Sequence, residues 1–145
     1  MEVFTIGFAG RNAGRFFGDL RQAGVTRLVD VRLNNTSQLA GFTKHADLPF
    51  FLKELCAAEY IHEPLLTPTR EILDAYKKDG GEWGEYEKRF LDLMATRQIE
   101  RQLNQSLFDK PTVLLCSENT AKHCHRRLVL EYLKNFWSDV SIKHL

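Results

Sequence analysis

From position 116 to position 127 the chain reads Cys-Ser-Glu-Asn-Thr-Ala-Lys-His-Cys-His-Arg-Arg, which gathers two cysteines, two histidines, one carboxylate and three basic residues. A thiol this close to a carboxylate and an imidazole can act as a nucleophile. Cys116 would then attack, with Glu118 or His125 as general acid or base. Cys116 ends an apolar run, Thr112-Val113-Leu114-Leu115, and a polar loop follows it. A helix beginning soon after would lower the thiol pKa and favour an anionic group beside Ser117. The plain alternative is that Cys116 is the last buried residue of its strand, because unpaired cysteine is among the most buried residue types.

The same stretch offers a second chemistry. Cys116, Cys124 and His125 supply three ligands for zinc, with Glu118, His123 or a distant histidine as a fourth. Their C-x7-C-H spacing departs from the C-x2-C and H-x3-5-H pairs of structural zinc sites. A helix over residues 121–136 would put Ala121, Cys124, Leu128 and Tyr132 on one apolar stripe. Cys124 is then expected to pack, while His125 and Arg126 border the crevice. A second constellation lies in Val29-Asp30-Val31-Arg32, where Asp30 and Arg32 share a face at a strand's carboxyl end. They form either a structural ion pair or an anion-binding arginine beside an orienting or basic carboxylate. Trp83, Tyr86 and Phe90 fall at helical spacing and read as core.

The elements that must carry these residues alternate between strand and helix. Strands are expected at Glu2–Phe8, Thr26–Arg32, Thr112–Cys116 and Val140–Ile142, with a short extended piece at Glu59–His62. Helices are expected from Asn12 to Gly24, from Asp47 to about Ala58, and from Thr69 to the Gly80-Gly81 break. Two more follow, one through Trp83–Met94 and its continuation, the other near Ala121–Phe136. The fold expected is α/β: one domain over residues 1–145, a largely parallel sheet of about five strands flanked by helices, and a helix-rich insertion near residues 66–107. Binding sites in such sheets lie beyond the carboxyl ends of the strands, which is where Asp30, Arg32 and Cys116 fall.

Composition narrows the function classes. Hydrophobic residues at 43% and charged residues at 27% exclude disorder. Lys plus Arg numbers 20 against 19 for Asp plus Glu, a net +1, so no global charge draws the chain to duplex nucleic acid. A local patch from Arg11, Arg15, Lys44, Arg126 and Arg127 keeps a non-catalytic nucleotide or nucleic-acid module as the alternative. Three cysteines in a chain of 145 residues do not suggest a disulfide framework. The start of the chain has no leader pattern, and no apolar run reaches about 18 residues. A cytoplasmic protein with reduced thiols and no membrane partner is therefore expected.

Several segments in this order resemble the family called domain of unknown function 488. They are Thr5-Ile6-Gly7, Leu28-Val29-Asp30-Val31-Arg32, Gly41-Phe42, Tyr60-Ile61-His62, Trp83 with Tyr86, Leu114-Leu115-Cys116-Ser117-Glu118 and Cys124-His125-Arg126. The similarity spans essentially the whole chain, and Asp-Val-Arg with Cys-x-Glu…Cys-His-Arg is its most specific part. The resemblance implies site residues at Asp30, Arg32, Cys116, Glu118, Cys124, His125 and Arg126, without implying a settled activity. The family's Pro-x-Ser-Arg segment stands here as Asn35-Thr36-Ser37-Gln38. The function expected is that of an enzyme-like crevice for a small anionic or phosphate-bearing substrate, held by Arg32, Arg126 and Ser117.

Overall fold

Thr112–Cys116 is buried at every position, which requires a strand covered on both faces and flanked on both edges. The computed structural model, which describes residues 1–36, 41–118 and 120–145, places this segment at the centre of the sheet. The strands are β1 (Glu2–Gly7), β2 (Arg27–Asp30), β3 (Glu59–His62), β4 (Thr112–Cys116) and β5 (Ser141–His144), all parallel in the order β3-β2-β4-β1-β5. Gly7 pairs with Cys116 and Asp30 with Leu115, so three strands end level. The segments that leave them converge on one crevice.

Side-chain alternation along the strands divides the core into two layers. Phe4, Ile6, Leu28, Val113 and Leu115 face α1 (Ala13–Gln22) and α2 (Leu48–Cys56). Val3, Val29, Leu114 and Cys116 face the other layer. That layer is built from α3 (Arg70–Lys77), α4 (Trp83–Arg97), the short α5 (Ile99–Gln102) and α6 (His125–Lys134). The helix-rich middle of the chain thus covers a sheet face, with Phe90 and Met94 of α4 packed in one cluster with Leu128 and Val129 of α6. Cys116 points into this layer and Asp30 points into the opposite one.

Local chemistry sets the ends of these helices. Asn12 Oδ1 accepts the Arg15 N–H at 2.8 Å and Thr69 Oγ1 accepts the Ile72 N–H at 3.2 Å, each satisfying a donor the helix cannot pair itself. Ala57 and Gln98 take left-handed backbone, both at φ 51°, to close α2 and α4. Among the described residues no helix is long and apolar enough to cross a membrane.

Several boundaries differ from the sequence expectation, most of all the start of the last helix. The helix expected near Ala121 begins at His125, with Cys124 as its extended N-cap at φ −143° and ψ 140°. The reason is a competing set of hydrogen bonds. The Arg127 guanidinium donates to the Ala121 and Lys122 carbonyls at 3.2 and 3.1 Å, and the Arg126 Nη1 donates to the Glu118 carbonyl at 2.6 Å. These bonds hold the described residues between Glu118 and Cys124 as a loop. Cys124 is buried by its place at the cap and not by a helical stripe. β5 likewise runs from Ser141 to His144, because it takes its register from Glu2–Thr5.

Candidate active site

β4 delivers Cys116 and α6 delivers His125 to the same point, and both side chains are buried. Cys116 Sγ lies 3.6 Å from His125 Nδ1, while His125 Nε2 lies 2.7 Å from the Val31 carbonyl oxygen. A carbonyl oxygen only accepts, so Nε2 carries the hydrogen and Nδ1 is the nitrogen that faces the thiol. Phe90 packs on the imidazole with ring centroids 5.2 Å apart. Thiol, imidazole and carbonyl oxygen therefore form one chain of contacts, an arrangement that can support nucleophilic chemistry at a thiol.

The surroundings of Cys116 favour its thiolate. The Cys124 thiol directed at it, the Arg126 charge and the backbone N–H groups of Ser117 and Glu118 hold its pKa below the ordinary value, against the opposing pull of burial. Burial pushes the Cys124 thiol well above its ordinary value, and the neighbouring Cys116 adds to this. The pair thus has one thiol that ionises readily and one that keeps its proton.

Both sulfurs and His125 line a cavity of about 380 Å³. Tyr76, Trp83 and Tyr86 give it aromatic walls, and Arg70, Lys77 and Lys78 bring positive charge. Trp83 is stacked with His123 at 5.0 Å. Glu118 stands half-exposed on this lining, ion-paired with Lys77. Ser117 also lines the cavity, and its carbonyl is fixed by the Ala9 N–H at 3.0 Å.

Asp30 and Arg32 form a closed clamp. Arg32 Nε and Nη2 donate to the two Asp30 carboxylate oxygens at 2.8 and 2.9 Å, and the Arg32 backbone N–H donates to Oδ1 at 3.1 Å. The Tyr60 hydroxyl donates to Oδ2 at 2.5 Å, and Arg32 Nη2 also reaches the Thr43 carbonyl at 2.7 Å. Burial and the Asp30 carboxylate push the Tyr60 hydroxyl well above its usual pKa, so it stays a donor. Arg32 lines the cavity and Asp30 does not. The residue enclosed by the clamp is Val31, whose carbonyl orients His125. His62 lies under the same turn, with Nε2 3.2 Å from the Arg32 carbonyl.

Arg126 is fully buried and does not line the cavity. Its Nη1 donates to the Glu118 carbonyl, and its Nε has no hydrogen-bond partner among the described residues. Gly7 makes room for this contact: a Cβ there would lie 1.5 Å from the Glu118 oxygen and 2.4 Å from Arg126 Nη1. Arg126 therefore braces the loop after Cys116 and supplies charge from behind it. Three of the other basic residues suggested for a nucleic-acid face are ion-paired. Arg11 and Arg15 pair with Asp19, and Arg127 pairs with Glu131.

Sequence reasoning brought Cys116, Ser117, Glu118, Cys124 and His125 together, and the structure gathers all five on one lining. It missed the Val31 carbonyl, since a backbone acceptor leaves no side-chain signal. Trp83 packs against the core as its helical spacing suggests, and from the first turn of α4 it also walls the cavity. Ser37, Gln38 and Asn119 lie outside the described residues.

Cys116, Cys124 and His125 can also hold a metal ion, since their ligand atoms all lie within 4.8 Å of one another. The donor set fits zinc: two thiols and an imidazole whose other nitrogen is tied to a backbone carbonyl, as metal-binding histidines usually are.

No curated protein and no solved structure matches the chain. Residues 12–133 match the family described as Domain of unknown function DUF488, and the chain belongs to that family.

Proposed function

We propose that this protein is a cysteine-dependent group-transfer enzyme acting on a small substrate with an apolar or aromatic body and an anionic group. The observation that carries this reading is the line from Cys116 through His125 to the Val31 carbonyl, opening on the cavity. His125 Nδ1 takes the Cys116 proton, and the sulfur attacks the electrophilic centre. The leaving group departs with the proton from His125, and a water or second acceptor releases the group from sulfur. The aromatic walls take the substrate body, while Arg70 and Lys77 face its anionic part. Glu118 holds Lys77 in place. Asp30 and Arg32 act through the Val31 carbonyl, and Arg126 acts through the Glu118 carbonyl, so all three are positioning residues.

The test is the pH dependence of Cys116 alkylation in chelator-treated native protein, followed by mass spectrometry. The expected midpoint lies below about 8.5, the value of a free thiol, and Cys116→Ser abolishes that label while the fold persists. A midpoint at or above the free-thiol value, or a Cys116 that stays inert until denaturant is added, would overturn the nucleophile.

The compact ligand set favours one second reading, in which Cys116, Cys124 and His125 would hold zinc and the ion would supply Lewis-acid chemistry. Stoichiometric zinc in the purified protein, with alkylation blocked until a chelator is present, distinguishes it. Alkylation that is indifferent to zinc and chelator excludes it.

A further inference from the structure

Cys124 has no step of its own in the transfer reaction, yet it is buried beside the one thiol that has. We propose that Cys116 and Cys124 form a reversible redox pair, in which a peroxide oxidises Cys116, Cys124 closes the disulfide, and the site is switched off. The inference rests on the reading of Cys116 as the reactive thiol.

Three observations carry it. The two sulfurs lie within 4.8 Å of each other and both line the cavity, so a small oxidant that reaches one reaches both. Cys116 is the last residue of β4 and Cys124 is the N-cap of α6, so each thiol sits at the end of its element, where the sulfurs have to close to the 2.03–2.05 Å that a disulfide requires. The remaining cysteine cannot compete. Cys56 packs against the α1–α2 layer on the far side of the sheet, where its thiol donates to the Phe17 carbonyl at 3.6 Å.

The chemistry balances with hydrogen peroxide as the oxidant. The Cys116 thiolate attacks one peroxide oxygen and the O–O bond breaks. The second oxygen leaves as hydroxide, takes a proton and becomes water. Sulfur is oxidised by two electrons to the sulfenic acid. Cys124 then gives its proton to His125 and its sulfur attacks Cys116. The S–O bond breaks and hydroxide leaves, taking that proton as a second water. An external dithiol restores both thiols by two exchange steps and is itself oxidised to a disulfide. The closed form has lost the nucleophile and two of the three metal ligands.

The experiment uses the full chain in a Cys56→Ser background with chelator present, exposed to hydrogen peroxide, quenched with N-ethylmaleimide and mapped by mass spectrometry. The expected product links the Cys116 and Cys124 peptides with loss of two hydrogen atoms, and dithiothreitol reverses it. In Cys124→Ser the same treatment leaves a Cys116 sulfenic acid that dimedone captures, and longer exposure gives a sulfinic acid that dithiothreitol does not reverse. Suppose Cys116 alkylates with a lowered midpoint, yet peroxide yields no cross-link or the Cys124→Ser protein behaves like its parent. The redox pair is then wrong and the nucleophile stands. If Cys116 neither alkylates nor oxidises, both fall together.

Discussion

His125 Nε2 meets the carbonyl oxygen of Val31 at 2.7 Å across 94 residues of sequence, and that single contact decides which nitrogen of the ring faces Cys116. The contact joins two halves of the site that arise separately. One is the loop from β4 to α6, which holds the sulfurs. The other is the Asp30–Arg32 clamp at the end of β2, which fixes the direction of the carbonyl between them.

Removing the His125 imidazole tests the proposed base directly. His125→Gln keeps a polar side chain at the start of α6 but offers no imidazole nitrogen to Cys116. The Cys116 alkylation rate near neutral pH is expected to fall by about 10²-fold, the lower end for a positioned general base, with the midpoint moving toward that of a free thiol. Stopped alkylation followed by intact-mass measurement checks it, and an unchanged rate would show that the backbone donors and Arg126 suffice.

The clamp predicts an effect at a distance. Asp30→Asn leaves the Arg32 guanidinium buried without its carboxylate, a loss of about 3–5 kcal/mol for a broken buried pair. Tyr60→Phe removes the hydrogen bond to the charged Asp30 acceptor, together with an exposed one to His45 Nδ1 at 3.2 Å, and should cost about 1.5–3 kcal/mol. Urea unfolding measures both. The milder Tyr60→Phe also tests positioning: if the clamp aims Val31, the pH profile of Cys116 alkylation shifts in this variant although Tyr60 does not line the cavity. A stability loss with an unmoved profile would confine the clamp to a structural part.

Much of this site was legible because its residues are close in sequence. Cys116, Glu118, Cys124 and His125 fall within ten positions, and strand alternation set Asp30 and Arg32 on one face. The doubly covered β4 and the alternation of strands and helices gave the parallel sheet. The start of α6 was not legible, since it turns on whether the Ala121 and Lys122 carbonyls bond within a helix or to Arg127, and both choices suit the local sequence. The side of the sheet to which Arg126 turns was also hidden. Its place off the expected apolar stripe puts Arg126 at the border of the crevice as an anion ligand, whereas here it is buried away from the cavity and fills the space left by Gly7.

That space gives a contrast between two glycines. Gly7→Ala drives a Cβ into the Glu118 carbonyl, so the loop after Cys116 must shift. The expected loss is at least the ~1–3 kcal/mol typical of overpacking, together with slower Cys116 alkylation. Gly18 lies in α1 with nothing near its Cβ position, so Gly18→Ala should stabilise by about 0.5–1 kcal/mol through helix propensity. Thermal or urea unfolding of the pair settles the matter. A harmless Gly7→Ala would mean that the Arg126–Glu118 contact does not hold the loop.

The two thiols also predict opposite slopes of stability with pH in the metal-free protein. Cys116 titrates below its unfolded value of 9.0 in the folded chain. Between those two values the unfolded state binds more protons, and stability rises with pH. The contribution is complete above the unfolded value and is lost as pH falls through the folded one. Cys124 is the reverse case. Its folded pKa lies well above 9.0, so its contribution is intact below that value and erodes as the unfolded thiol ionises and the folded one does not. Urea midpoints measured across this range should therefore climb toward pH 9 and decline beyond it. Because all other groups cancel in the difference, Cys116→Ser should flatten the climb and Cys124→Ser the decline. Parallel curves for the parent and both variants would mean that the two sulfurs do not divide one proton between them, and the low-pKa thiol would lose its electrostatic basis.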